Sequence, residues 1–423
     1  MFILTGAGSM VASCFGACAM TAVCTGLGEI MKRSARLAYC LLFVLSMLLA
    51  WVLRDFAQPI MEKIPWIVRH DFPEDSDAWY GKQAVFRVSL GNFLFFSCLS
   101  MALVGVKYKS DRRGTFLQHG GWMIKIVLWL AFNALPFFLP NQVINSYAWI
   151  ARPGAGLFLI VQMLILLDFS HTLNDSLVGA EEERYLYLLL AATVGCFLGS
   201  LGLSALMFIW FHPSGAGSCS LNVFLITSSL LLVAGYSVLS VTSAAKNGSL
   251  FTSSMIGAYC TYLTYSALAS EPHDYPCNGI GERITAASGS TLVLSMLGTL
   301  AAVVWSALRA GSNTALFSTA GAPEETGEPL LETNGADEER GEKAMDEFEP
   351  VAYSYSFFHL IFALASMYIG MLMTGWGVGA EEKDLIDVGW ASVWVKVAAQ
   401  WFTALLYVWT LVAPALLPDR AFD

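Results

Sequence analysis

The sequence predicts an all-α polytopic membrane protein of about ten transmembrane helices. Three observations predict it: 56% of the 423 residues are hydrophobic and only 13% are charged, mean hydropathy is +0.59, and apolar stretches of span length recur along the whole chain. Soluble domains carry about 25% charged residues, and a helix needs about 20 apolar residues to cross a hydrocarbon core. The formal charge of -10 comes largely from the segment between Gly311 and Pro350. No basic stripe offers a nucleic-acid footprint, so no nucleic-acid partner is expected.

The first 35 residues are rich in Gly, Ala and Cys and hold no Lys or Arg before Lys32. A secretory signal would need a basic n-region there. Residues 1–35 are expected to be a cytosolic N-terminal segment, residues 36–309 to hold spans one to eight, and residues 310–350 to be an acidic cytosolic loop. Residues 351–423 would hold spans nine and ten and a short tail. The ten stretches are Arg36 to Phe56, Phe86 to Val106, Trp122 to Leu139, Pro153 to Leu177, Tyr185 to Phe211, Leu221 to Val241, Phe251 to Ser270, Thr285 to Leu308, Val351 to Trp376 and Trp390 to Leu417. Loop cations set the orientation, since Lys and Arg accumulate on the cytosolic side. With a cytosolic N-terminus that side holds thirteen of them and the other side eight, Lys82 and Arg87 among the eight. Both termini are therefore expected in the cytosol, and "KYKSDRRGT" is the clearest cytosolic loop.

The acidic loop combines high net charge with few aromatics, so ordering it would cost more entropy than its apolar surface returns. It is expected to be disordered. Leu330 and Leu331 follow acidic residues in the manner of a sorting signal, although a solvated tether is the plainer reading.

Polar residues inside the spans are the candidate functional groups. The fourth span runs into "LLDFSHTLNDS", and Pro153 suits its first helical turn. From Pro153 to Leu177 a helix covers about 37 Å, more than the roughly 30 Å of hydrocarbon, so it is inclined or protrudes. Asp168, His171 and Asp175 fall at i, i+3 and i+7, on one face. Asp175 is expected in water. Asp168, about 22 Å from Pro153, stays in the membrane if the helix tilts, and ionisable groups there face a bundle interior or a wet cavity. His359 lies about two turns into the ninth span, and Lys396 some six residues into the tenth. Lys125 is expected to snorkel. The hydroxyls of "YCTYLTYSALAS" serve helix packing.

No DG dipeptide, HExxH, GxSxG, Walker loop or dinucleotide glycine pattern in a fitting context suggests an enzyme. No cofactor is expected and no metal site, Asp168, His171 and Asp175 being a weak ligand set. The nine cysteines form no CxxC pair. Cys219 and Cys277 fall in two outer loops by parity, where a disulfide is permitted; the alternative is two free thiols. The sequons at Asn174 and Asn247 fall in the cytosol and are expected to carry no sugar.

The segments "MEKIPWI", "QMLILLDFSHTLNDSLV", "TYLTYSALASEP", "YSYSFFHLIFALASMYIGMLMTGW", "VWVK" and "LYVWTLVAPALLPDR" resemble the serine incorporator family, in order from Arg33 to Asp423. The resemblance implies two helical bundles joined by a long diagonal fourth helix, with a lipid-accessible groove between them. It also implies a link to phosphatidylserine and sphingolipids, the endomembrane system or plasma membrane as location, and membrane phospholipids as partners. Lipid-synthesising enzymes are a further possible partner. The N-terminus departs from the animal pattern, with Cys14, Cys18 and Cys24 in place of a denser cluster. The leading expectation is a passive lipid transporter of scramblase type. Asp168, His171 and His359 would bound the cytosolic end of its headgroup path, and Lys396 would lie nearer the other end. The alternatives are a non-catalytic scaffold that delivers serine to lipid-synthesising enzymes and an ion-coupled serine carrier.

Overall fold

A computed structural model describes residues 35–67, 76–180, 182–213, 217–243, 245, 248–272, 274–279, 351, 353–377 and 389–416. Expectations for residues 1–34, the eighth span, the acidic loop, the Asn247 sequon and the last seven residues lie outside this set. The principal helices are α1 Ala35–Phe56, α2 Ser76–Ala102, α3 Trp122–Ala134, α4 Asn141–Val178, α5 Glu183–Trp210, α6 Ser220–Ser240, α7 Leu250–Ala269, α8 Tyr355–Met373 and α9 Trp390–Leu416. Among the described residues there is no β-strand, and seven helices are long and apolar enough to cross a membrane. An eighth span arises if Arg112–His119 and Trp122–Phe138, bent by 66°, count as one. Thr252, Ser253, Ser254, Thr261 and Thr264 keep α7 out of the seven.

Two helix starts differ from the sequence expectation by ten residues or more. Helix α2 begins ten residues before Phe86, and α4 begins twelve before Pro153. Polar side chains lower the hydropathy of both stretches, buried ones such as Lys82 and Gln83 in α2 and exposed or half-buried ones such as Asn141, Gln142 and Asn145 in α4, yet both are helical. Pro153 therefore sits inside α4, not in its first turn. A membrane helix tolerates an interior proline when neighbouring helices hold it in place. Beside it, a Cβ on Gly154 would collide with Met367 of α8, so this glycine lets two helices approach rather than breaking one.

The helices form two bundles. In bundle one α2 and α8 lie at the centre, packed with α1, α3 and the first half of α4. Its core is aromatic: Phe43, Phe96, Phe358 and Phe362 are all almost fully buried, with ring centroids 5.0–6.1 Å apart in successive pairs. Bundle two contains α5, α6, α7, α9 and the second half of α4. The last two described helices are divided, α8 going to the first bundle and α9 to the second.

Helix α4 belongs to both. Ile144, Tyr147, Ala148, Ala151 and Ala155 pack in bundle one, and Leu167 joins Tyr236, Cys260 and Tyr407 in bundle two. Leu159 and Met163 meet Leu263 and Ala399 at the junction. With 38 residues α4 is about 57 Å long, nearly twice the hydrocarbon thickness.

Candidate functional site

The structure distributes the sequence candidates over the two bundles. His359 lies in bundle one, fully buried. Its Nε2 donates to Gln118 Oε1 at 2.9 Å, which puts the ring proton on Nε2, and its ring stands edge-on to Tyr39. The Gln118 amide donates to the Tyr353 hydroxyl at 2.8 Å. Lys125 is buried too, not snorkelling. Its ammonium donates to the Gln118 carbonyl at 3.3 Å and sits 4.1 Å from the Trp122 ring centroid. Neither His359 nor Lys125 is bonded to Asp168. This cluster fastens the π-helical turn Thr115–His119 to α8.

Asp168, His171 and Lys396 belong to bundle two. Asp168 and His171 are half-buried on the face of α4 that looks toward α9, where the His171 ring is 6.4 Å from that of Tyr407. Tyr407 and Ser253 share a hydrogen bond of 2.7 Å, and Ser249 donates to the Asn174 side chain at 2.7 Å. Farther from Val178 come Tyr236, edge-on to Tyr407, then Cys260, Thr261, Thr264, Gln400 and Thr403, all buried. Thr261, Thr264 and Thr403 donate to carbonyls one turn back on their own helices. Ser229, Thr252 and the Gln400 amide nitrogen are buried with no protein partner. Buried polar groups are rarely left so, and a core of them is conspicuous inside an apolar fold.

At the far end Lys396 donates to the Ser266 carbonyl at 3.2 Å and to Ser270 Oγ at 2.6 Å, which satisfies the last turn of α7. Beyond it Asn222 bonds the Phe211 carbonyl and a carboxylate oxygen of Glu271, each at 3.2 Å. Glu271 lies in the loop after α7, and burial pushes its carboxyl up to about 7, with the Asn222 bond opposing. A disulfide joins Cys219 to Cys277 beside it.

These side chains form a polar column along bundle two, from Asp168 and His171 at the Val178 end to Lys396 and Glu271 at the other. Of the sequence candidates Asp168, His171 and Lys396 lie in it and His359 does not, being buried against Gln118 in the other bundle; Tyr407, Gln400, Asn222 and Glu271 were not anticipated. A signal existed for part of it: Asn222, Ser229 and Tyr236 recur every seven residues on one face of α6. Among the described residues no group of three His, Cys, Asp or Glu side chains could hold a metal ion.

The family profile described as Serine incorporator (Serinc) matches residues 12–420. The chain belongs to the serine incorporator family. Among its relatives, a probable serine incorporator of Monosiga brevicollis is 31% identical over 99% of this chain and 97% of its own length. Membrane protein TMS1 of Saccharomyces cerevisiae is 30% identical over the same shares. Serine incorporator 3 of Bos taurus is 29% identical over 83% of this chain and 82% of its own.

Proposed function

We propose that this serine incorporator is a passive lipid transporter of scramblase type, acting on serine-derived lipids such as phosphatidylserine and sphingolipids without chemistry on them. The observation that carries the reading is the polar column of bundle two. Its ends hold charged side chains, and its middle holds buried hydroxyl and amide groups whose bonding capacity is unfilled within the protein. A headgroup moving along such a strip exchanges water for side-chain hydrogen bonds while its acyl chains remain in lipid. On this reading both termini are cytosolic, and Asp168 and His171 receive the headgroup at the cytosolic end.

The test is lipid exchange between leaflets by the purified protein in liposomes, read with a leaflet-selective probe. Asp168→Leu should insert and melt like the parent, yet slow exchange by at least tenfold, equivalent to about 1.4 kcal/mol in the barrier. His359→Leu lies off the path and should act on stability alone. Unchanged exchange in Asp168→Leu, or no exchange by the parent, would remove the transport reading and favour a scaffold that delivers serine to lipid-synthesising enzymes.

A further inference from the structure

Bundle one also buries charged groups that lie outside the column, Arg87 the most completely. Arg87 is fully buried in α2, in bundle one. Its Nη1 donates to the Gln83 carbonyl at 3.1 Å and to Gln83 Oε1 at 2.8 Å, and its Nη2 donates to Asn141 Oδ1 at 2.8 Å. Nε is buried and has no partner. Every acceptor is neutral, and among the described residues no carboxylate pairs with it. A guanidinium does not neutralise itself by losing a proton, so a buried one without a countercharge is costly.

Its position makes the missing charge more pointed. Asn141 is the first residue of α4, and Pro140 supplies no side-chain cap. The N-terminus of a long helix carries partial positive charge. Two positive features thus meet, and among the described residues Arg87 bonds only neutral acceptors. The amides lead outward from there, since Gln83 donates to Asn145 at 3.1 Å and Asn145 is exposed.

The surroundings place this spot at the edge of the hydrocarbon. Trp66 donates to the Phe137 carbonyl at 2.8 Å, and Phe138, just before α4, and Trp149, two turns along it, are about two-thirds exposed. Aromatic side chains of this kind gather at headgroup level. We propose that Arg87 and the N-terminus of α4 bind a phosphate oxoanion, the source favoured by these aromatics being the headgroup of a phospholipid in the adjacent leaflet. The site lies in the other bundle from the column and does not depend on transport.

The experiment follows the thermal melting of the full-length chain in dodecyl maltoside against added dihexanoylphosphatidylcholine, dihexanoylglycerol, or sodium phosphate at constant ionic strength. The parent should be stabilised by the phosphatidylcholine and not by the diacylglycerol. Arg87→Gln should weaken that response by roughly 30-fold or more in midpoint. Asn141→Asp places a carboxylate beside Arg87. It should melt higher without ligand and lose the response, which keeps the proposal testable should Arg87→Gln fail to fold. Stabilisation by sodium phosphate, lost in the same variants, would assign the site to a free oxoanion. A parent that responds to neither phosphate probe, or an Asn141→Asp variant that responds like the parent, would overturn the proposal.

Discussion

In bundle one the buried serines of α2 bond across to other helices. Ser89 donates to the Ser366 carbonyl of α8 and receives the Tyr147 hydroxyl of α4, each at 2.7 Å, while Ser100 reaches Ser356. In the middle of bundle two they turn inward on their own helices, as Thr261, Thr264 and Thr403 do. Several glycines differ too, although Gly257 of bundle two does meet Val233 of α6. In bundle one a Cβ on Gly81 or Gly91 would meet backbone of a neighbouring helix; in bundle two Gly199, Gly202 and Gly235 face open space. The α2 serines thus tie helices together, whereas the threonines in the middle of the second bundle are satisfied on their own helices. A buried hydroxyl is thus no guide to function until its partner is known.

Three experiments test this contrast, beginning with the largest effect. The cross-links of bundle two are concentrated at its ends, so Cys277→Ser should lower stability by about 2–4 kcal/mol, read as a fall in melting temperature that reductant reproduces in the parent. A parent with both thiols alkylated before reduction would refute it. Next, Gly91→Ala should cost about 1–3 kcal/mol, because it forces α2 away from α3, while Gly235→Ala should be neutral to about 0.5 kcal/mol. Equal melting temperatures for the two variants would break the comparison.

The smallest effect concerns Glu271. Its carboxyl in the folded protein titrates at about 7, against 4.5 ordinarily, because burial disfavours the charged form. Between those values the native state holds a proton that the unfolded chain has released, so stability falls as pH rises through that window and levels off above it. Glu271→Gln should flatten this slope and melt higher than the parent at pH 8, by on the order of 1–2 kcal/mol, with little difference near pH 4.5. Parallel pH profiles for parent and variant would count against it.

Hydropathy made the spans legible because the lipid-facing and core residues of most helices are both apolar. It failed where a bundle buries polar residues. Lys82 and Arg87 look like loop cations, yet both are buried in α2. The spacing of Asp168 and His171 exposed one end of the column, since both lie on a single helix. His359 resembles them in chemistry and depth, and nothing in the sequence says that its face turns toward Tyr39 and Gln118 in the other bundle. The Asn141 acceptor of Arg87 and the acceptors of Lys396 are contributed by residues 54 and 126–130 positions away, beyond the reach of any local pattern.

The division of α8 and α9 between the bundles also fixes an order of assembly during synthesis. Helix α8 of bundle one is made about 250 residues after α2, which at about 5–20 residues per second is a delay of roughly 10 to 50 seconds. Throughout it Ser89 lacks the Ser366 carbonyl, and the Gln118 amide lacks both His359 and Tyr353. Bundle two waits longer still for α9, which brings Lys396 and Tyr407. The nascent protein therefore spends its time in the membrane as two half-built bundles with exposed polar seams, which only the last third of the chain closes.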